Sequence, residues 1–181
     1  MQITAEEVTR NTLVDLLENP DILQQQNLYI SWVNGDLTVD EYIALQDEID
    51  NKTPKGQIYD WNKLKVENPT VYEHELAHKL VLDKYGVESQ LYKLSKNCFC
   101  VSDVNLNELI KTRQYTAKQI INLQIEMVSA SLTNKKAVSP LEVSDILQYE
   151  ILSGNIKQIN YKNVINIFSK YKWLSDEFQK I

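Results

Sequence analysis

Apolar residues along most of this chain recur at intervals of three and four, which is the spacing of one face of an α-helix. The first third of the chain predicts three such helices, each opened by a capping signal: Thr4 to about Glu18, Pro20 to about Gly35, and Thr38 to about Asp50. Residues 51–56 form a polar run that contains a proline and a glycine, which is typical of a linker. The pattern therefore predicts an N-terminal helical extension over residues 1–56 and a second domain over residues 57–181.

The second domain has the same helical pattern, interrupted once by a segment that is typical of strands. Apolar residues between Gln90 and Val101 surround a turn signal at Ser95-Lys96-Asn97, which predicts a short β-hairpin. Further helices are predicted on both sides of the hairpin: residues 69–85, 115–132, 139–154 and 161–178. The capping box Ser139-Pro140-Leu141-Glu142 opens the third of them. The expected fold class is mainly α.

The only two histidines of the chain stand four residues apart, in the segment His74-Glu75-Leu76-Ala77-His78. Residues i and i+4 of a helix lie on one face, so both imidazoles could bind one Zn²⁺ at about 2.0–2.1 Å. Glu75 lies roughly 100° around the helix, where its carboxylate could act as a general base on a water that the metal activates. This is the HExxH motif of zinc peptidases. Asn68-Pro69 and Gly86 place the motif inside one helix of ordinary length.

A catalytic zinc site also needs a third protein ligand and one open position. Because the chain has no third histidine, that ligand should be a carboxylate. Six acidic residues downstream of the motif could supply it: Glu88, Asp103, Glu108, Glu126, Glu142 and Asp145. Spacing alone does not choose among them. Asp145 gains modest support because it would lie in the second turn of a capped helix, where the positive helix end favours an ionised carboxylate, whereas Glu142 is explained as the capping partner of Ser139.

The segment from His74 to Val81, followed by Tyr85-Gly86-Val87, resembles the zinc helix of the FtsH peptidase family. The resemblance covers roughly residues 69–154, and it continues through a small strand region, a long helix and the pair Ser144-Asp145. In that family an aspartate in such a pair is the third zinc ligand. The resemblance implies a helical zinc-metallopeptidase-like domain in which His74, His78 and Asp145 bind Zn²⁺ and Glu75 is catalytic.

The chain also departs from that family. Its motif has Ala77 in place of the family's glycine, and the family's Gly-Gly-Arg-Ala-Ala-Glu segment would fall at residues 126–131, where only small residues persist. No GxxxxGK[ST] phosphate loop occurs, so a peptidase of this kind would work without ATP. Three alternatives stay open. They are a catalytically silent peptidase-like binding or regulatory protein, a repressor-cleaving peptidase of the ImmA/IrrE kind, and a helical domain without a site.

Charge and composition limit the classes of partner that the protein could bind. The 181 residues carry a net charge of −6, and no stretch collects Lys and Arg as a nucleic-acid surface would require. No apolar run reaches membrane-spanning length, and the N-terminal segment lacks the basic start and apolar core of a signal peptide. We expect a soluble cytoplasmic protein that acts on a protein or peptide substrate. Cys98 and Cys100 flank Phe99, and the pattern favours two small strand residues over a redox pair or soft metal ligands.

Overall fold

Helices account for most of the computed structural model, which describes residues 4–53, 56–96, 98–104, 106–113, 115–132 and 140–170. The mainly α fold class is confirmed. The described helices are α1 (Ala5–Glu18), α2 (Pro20–Val33), α3 (Val39–Lys52), α4 (Trp61–Glu67), α5 (Pro69–Lys84), α6 (Leu106–Arg113), α7 (Ala117–Leu132), α8 (Pro140–Leu152) and α9 (Tyr161–Lys170). The strands are β1 (Gln57–Ile58), β2 (Ser89–Ser95) and β3 (Cys98–Asp103). Two compact units contain these elements.

The first unit combines α1, α2 and α3 with α8 and α9. Within it α1 packs against α2 and α9, and α2 packs against α3 and α8. Trp32 of α2 is 2% exposed and stacks on Tyr42 of α3, with ring centroids 4.5 Å apart. Thr38 and Glu41 form a complete capping box at the start of α3, because each side chain accepts the backbone N–H of the other at 3.1 Å.

The second unit holds α4 to α7 and the antiparallel sheet, whose strand order is β1-β2-β3. Helix α5 packs against α4, α7 and the strands β2 and β3. Leu64, Leu91 and Phe99 are buried where α4, α5 and the sheet meet. One side of α5 thus packs against the sheet, and other sides of the helix contact α4 and α7.

The helix that carries the motif begins and ends where the sequence predicts. The Asn68 side chain accepts the backbone N–H of Val71 at 3.3 Å, and Pro69 occupies the first turn of α5. Gly86 follows the last turn with φ of +71°, a left-handed conformation that glycine adopts without strain. The predicted hairpin is confirmed as β2 and β3.

The sequence pattern does not predict three short elements: β1, α4 and α6. Their two, seven and eight residues are too few for a clear hydrophobic period. The predicted capping box at Ser139 and the predicted helix end at Phe178 lie outside the described residues. Among the described helices, none is long and apolar enough to cross a membrane.

Two glycines of the second unit have nearly the same backbone conformation but different surroundings, which allows a controlled prediction. A Cβ at Gly56 (φ +73°) would lie 2.4 Å from the carbonyl oxygen of Lys93, whereas a Cβ at Gly86 (φ +71°) would meet no atom within 4 Å. Gly86→Ala should lower the free energy of unfolding by about 1 kcal/mol through backbone strain alone. Gly56→Ala should lower it by about 3 kcal/mol, because the strand that pairs with β1 must also shift.

Urea denaturation followed by circular dichroism measures both losses. Equal losses for the two alanine variants would contradict the close approach of Gly56 to β2.

Candidate metal centre

The two histidines of the motif lie on one face of α5 and point their Nε2 atoms at each other. The Nε2 atoms of His74 and His78 are 3.3 Å apart, and the two ring planes are inclined at 82°. Both side chains are half-buried. The structure therefore brings these two sequence-predicted ligands together, as the i, i+4 spacing requires.

The separation of the two nitrogen atoms fits a shared metal ion. Two nitrogens bound tetrahedrally to one Zn²⁺ at about 2.0–2.1 Å lie roughly 3.3–3.4 Å from each other. The observed 3.3 Å equals this span without any movement of either ring. The pair is thus arranged as two of the ligands of a tetrahedral site.

The backbone of α7 fixes the orientation of the second histidine. The Nδ1 atom of His78 lies 2.9 Å from the carbonyl oxygen of Met127. A carbonyl oxygen can only accept, so Nδ1 carries the hydrogen, and in the neutral tautomer of this ring the lone pair lies on Nε2. Metal-binding histidines almost always make such a contact with their second ring nitrogen. Met127 therefore presents the Nε2 of His78 in the form that binds a metal.

Glu75 points toward the sheet from a different side of α5. Its side chain is 3% exposed, and its Oε2 accepts the backbone N–H of Val101 in β3 at 3.0 Å. A carboxylate removed from water needs such a donor, since burying it without one would cost several kcal/mol by order of magnitude. The predicted base is thus held between the motif helix and the adjacent strand.

A second polar contact joins the end of α5 to α7. Glu126 accepts hydrogen bonds from Lys84 at 2.5 Å and from the Tyr85 hydroxyl at 2.6 Å. These bonds, that of Lys84 first, lower the pKa of Glu126, and the same carboxylate raises the pKa of Lys84 and of Tyr85. Because the carboxyl pKa is lower in the folded state, the contact stabilises the fold above the ordinary pKa of a glutamate and is lost as pH falls through the folded-state value.

The remaining candidates for the third ligand differ in their surroundings. Glu88, Asp103 and Glu108 have exposed side chains in the second unit, and Glu126 accepts the hydrogen bonds from the end of α5. The side chain of Glu142 lies outside the described part of the chain. Asp145 lies on α8 in the first unit, half-buried and next to the buried Ile146. Its role as a ligand stays a prediction.

Sequence reasoning missed the two groups that orient His78 and Glu75. Both are backbone atoms, namely the carbonyl of Met127 and the N–H of Val101. Every residue type except proline offers such atoms, so no side-chain pattern marks them. The predicted hairpin at residues 90–101 indicates a strand that follows the motif closely along the chain. The sequence does not indicate which residue of that strand would face α5.

The family of this chain stays a prediction. Comparisons with protein-family models, with curated proteins and with solved structures found no match. A functional assignment therefore depends on the geometry of the histidine pair and of Glu75.

Cys98 and Cys100 of β3 are reduced, half-buried thiols. Burial raises the pKa of Cys98, and the negative charge of Glu75 raises it further. A raised pKa lowers the thiolate fraction at neutral pH, and the thiolate is the reactive form. Burial, together with the negative charge of Glu75, therefore lowers the reactivity of Cys98 as a nucleophile.

This coupling predicts a change in thiol reactivity that needs neither metal nor substrate. In metal-free protein with Cys100→Ser, the change Glu75→Gln should speed alkylation of Cys98 by iodoacetamide near pH 8, because removal of the charge lowers the thiol pKa. Mass spectrometry gives the rate. Glu73→Gln removes a charge from the exposed side of the same helix and serves as the control. Equal rates for all three proteins would contradict the coupling.

Proposed function

We propose that this chain is a zinc-dependent metallopeptidase that hydrolyses peptide bonds without ATP. The observation that carries the proposal is the pair of Nε2 atoms 3.3 Å apart, with the hydrogen of His78 committed to Met127 on the other ring nitrogen. Both features match those of a metal-binding histidine, whose second ring nitrogen is commonly held by a carbonyl oxygen. The substrate class is a protein or peptide chain.

The proposed metal ligands are His74, His78 and Asp145. Two neutral imidazoles and one carboxylate form an N/O donor set that suits Zn²⁺ better than Mg²⁺ or Ca²⁺, which prefer oxygen ligands alone. Asp145 enters the set through the Ser144-Asp145 pair and its place in the second turn of α8. With these three protein ligands, a bound zinc ion would still have a position open for water or substrate.

Glu75 is the proposed general base. It takes the proton of the attacking water and passes it to the leaving amine, the two transfers that amide hydrolysis requires. Zinc, when bound, supplies a Lewis acid that polarises the scissile carbonyl and acidifies water. Low exposure of the carboxylate keeps bulk water from competing for the same proton.

A second candidate is a catalytically silent peptidase-like protein that binds or regulates a partner. The contact between Glu75 and Val101 favours it, because that contact gives the carboxylate a structural task that needs no turnover. A repressor-cleaving peptidase of the ImmA/IrrE kind would share the chemistry of the first candidate and differ only in its substrate. Loss or retention of turnover therefore separates the main alternatives.

Metal content tests the ligand set. Protein prepared without a histidine tag should contain about one equivalent of zinc by elemental analysis. Asp145→Ala should strongly weaken zinc retention, because one of three ligands is lost, whereas Glu142→Ala should retain zinc and cost at most about 1 kcal/mol as a lost cap. The reverse order of the two variants would remove Asp145 from the set, and wild-type protein that cannot be loaded with zinc would remove the peptidase proposal.

Turnover tests the base. Glu75→Gln keeps the shape of the side chain but removes its basic oxygen, so zinc content should be unchanged and proteolysis of unfolded casein without ATP should be lost. Glu73→Gln, on the exposed side of α5, should keep both. Zinc-loaded wild-type protein that leaves every unfolded or peptide substrate intact would favour the silent candidate.

A further inference from the structure

The backbone groups of β3 divide into two sets by direction. The carbonyl of Leu91 accepts the N–H of Tyr59, which is on the β1 side of β2. In an antiparallel ladder the N–H and C=O of one residue point to the same side, so Leu91 and its partner Val101 form a pair without mutual hydrogen bonds. The N–H of Val101 therefore points away from β2, toward the outer edge of β3.

The residues on either side of Val101 direct their backbone N–H and C=O groups the other way, toward β2. Cys100 and Ser102 pair with Tyr92 and Gln90, and by alternation they face β2. The N–H of Val104 donates to the carbonyl of Glu88 at 2.8 Å, as this alternation requires. The N–H of Val101 is thus a donor that the ladder does not use.

That donor holds the carboxylate of Glu75. The Oε2 atom of Glu75 lies 3.0 Å from the Val101 nitrogen, and the side chain is 3% exposed. A glutamate side chain has three rotatable bonds, so in water its carboxylate samples many orientations. The contact settles the orientation in the folded protein before any substrate binds.

We propose that the backbone N–H of Val101 is a positioning group for Glu75 in catalysis. The proposal rests on the peptidase function proposed above, in which Glu75 moves a proton at the reacting water. A general base must lie within hydrogen-bonding distance of that proton, and an error of about 1 Å at a reacting group can cost a hundredfold in rate. The edge of β3 supplies this precision through a rigid backbone donor.

The contact itself is tested first, in metal-free protein, by amide hydrogen exchange measured with NMR. The Val101 amide should be protected in the wild type, should lose protection in Glu75→Ala, and should keep protection in Glu75→Gln, whose amide oxygen can still accept. The amides of Cys100 and Ser102, which face β2, should stay protected in all three proteins. A Val101 amide whose exchange ignores Glu75→Ala would overturn the proposal.

The catalytic role is tested with Val101→Pro, which removes the N–H and costs no ladder hydrogen bond. The matched control is Val101→Ala, which loses the side-chain packing but keeps the donor. In zinc-loaded protein, Val101→Pro should lower kcat by about a hundredfold while KM and zinc content stay near those of Val101→Ala. Circular dichroism and the urea midpoint of the two variants check that both fold.

The outcomes separate the two proposals. An active wild type in which Val101→Pro and Val101→Ala have the same kcat would overturn the positioning role and leave the peptidase function in place. A zinc-loaded wild type without peptidase activity would overturn the peptidase function and the positioning role together.

Discussion

The packing of α5 between the sheet and α7 is the constraint on which the candidate centre depends. One side of this helix supports β2 and β3, and another contacts α7. The histidine pair and Glu75 leave the same helix in different directions, so each meets a different neighbour. His78 reaches the backbone of α7 and Glu75 reaches the backbone of β3. A shift of α5 along its axis would break both contacts at once.

Polar contacts fix α5 against that shift. The bonds from Lys84 and Tyr85 to Glu126 lie one residue away from Met127, whose carbonyl orients His78. The ion pair is exposed and contributes little free energy by itself. The ion pair matters for position, because it connects the end of α5 to the turn of α7 whose carbonyl contacts His78.

Local signals explain why much of the fold could be predicted. Caps at Thr38 and Asn68 and the glycine at Gly86 act within a few residues, so the sequence records them directly. The short elements α4, α6 and β1 lack a period and were missed. The packing of α8 and α9 with the N-terminal helices was also missed, because pairing between distant segments leaves no local pattern. At the centre, the i, i+4 spacing predicted the histidine pair, but not the backbone atoms that orient it.

The two units differ in the number of chain segments that form them. The second unit is continuous in sequence, whereas the first needs α8 and α9 to complete the core begun by α1 and α2. During synthesis from the N-terminus, the second unit can fold as soon as its own residues have left the ribosome, whereas the first waits for the last helices. The histidine pair can therefore form before the helix that carries Asp145 is made. A nascent chain would hold the two imidazoles in place while its N-terminal helices still lack their partners.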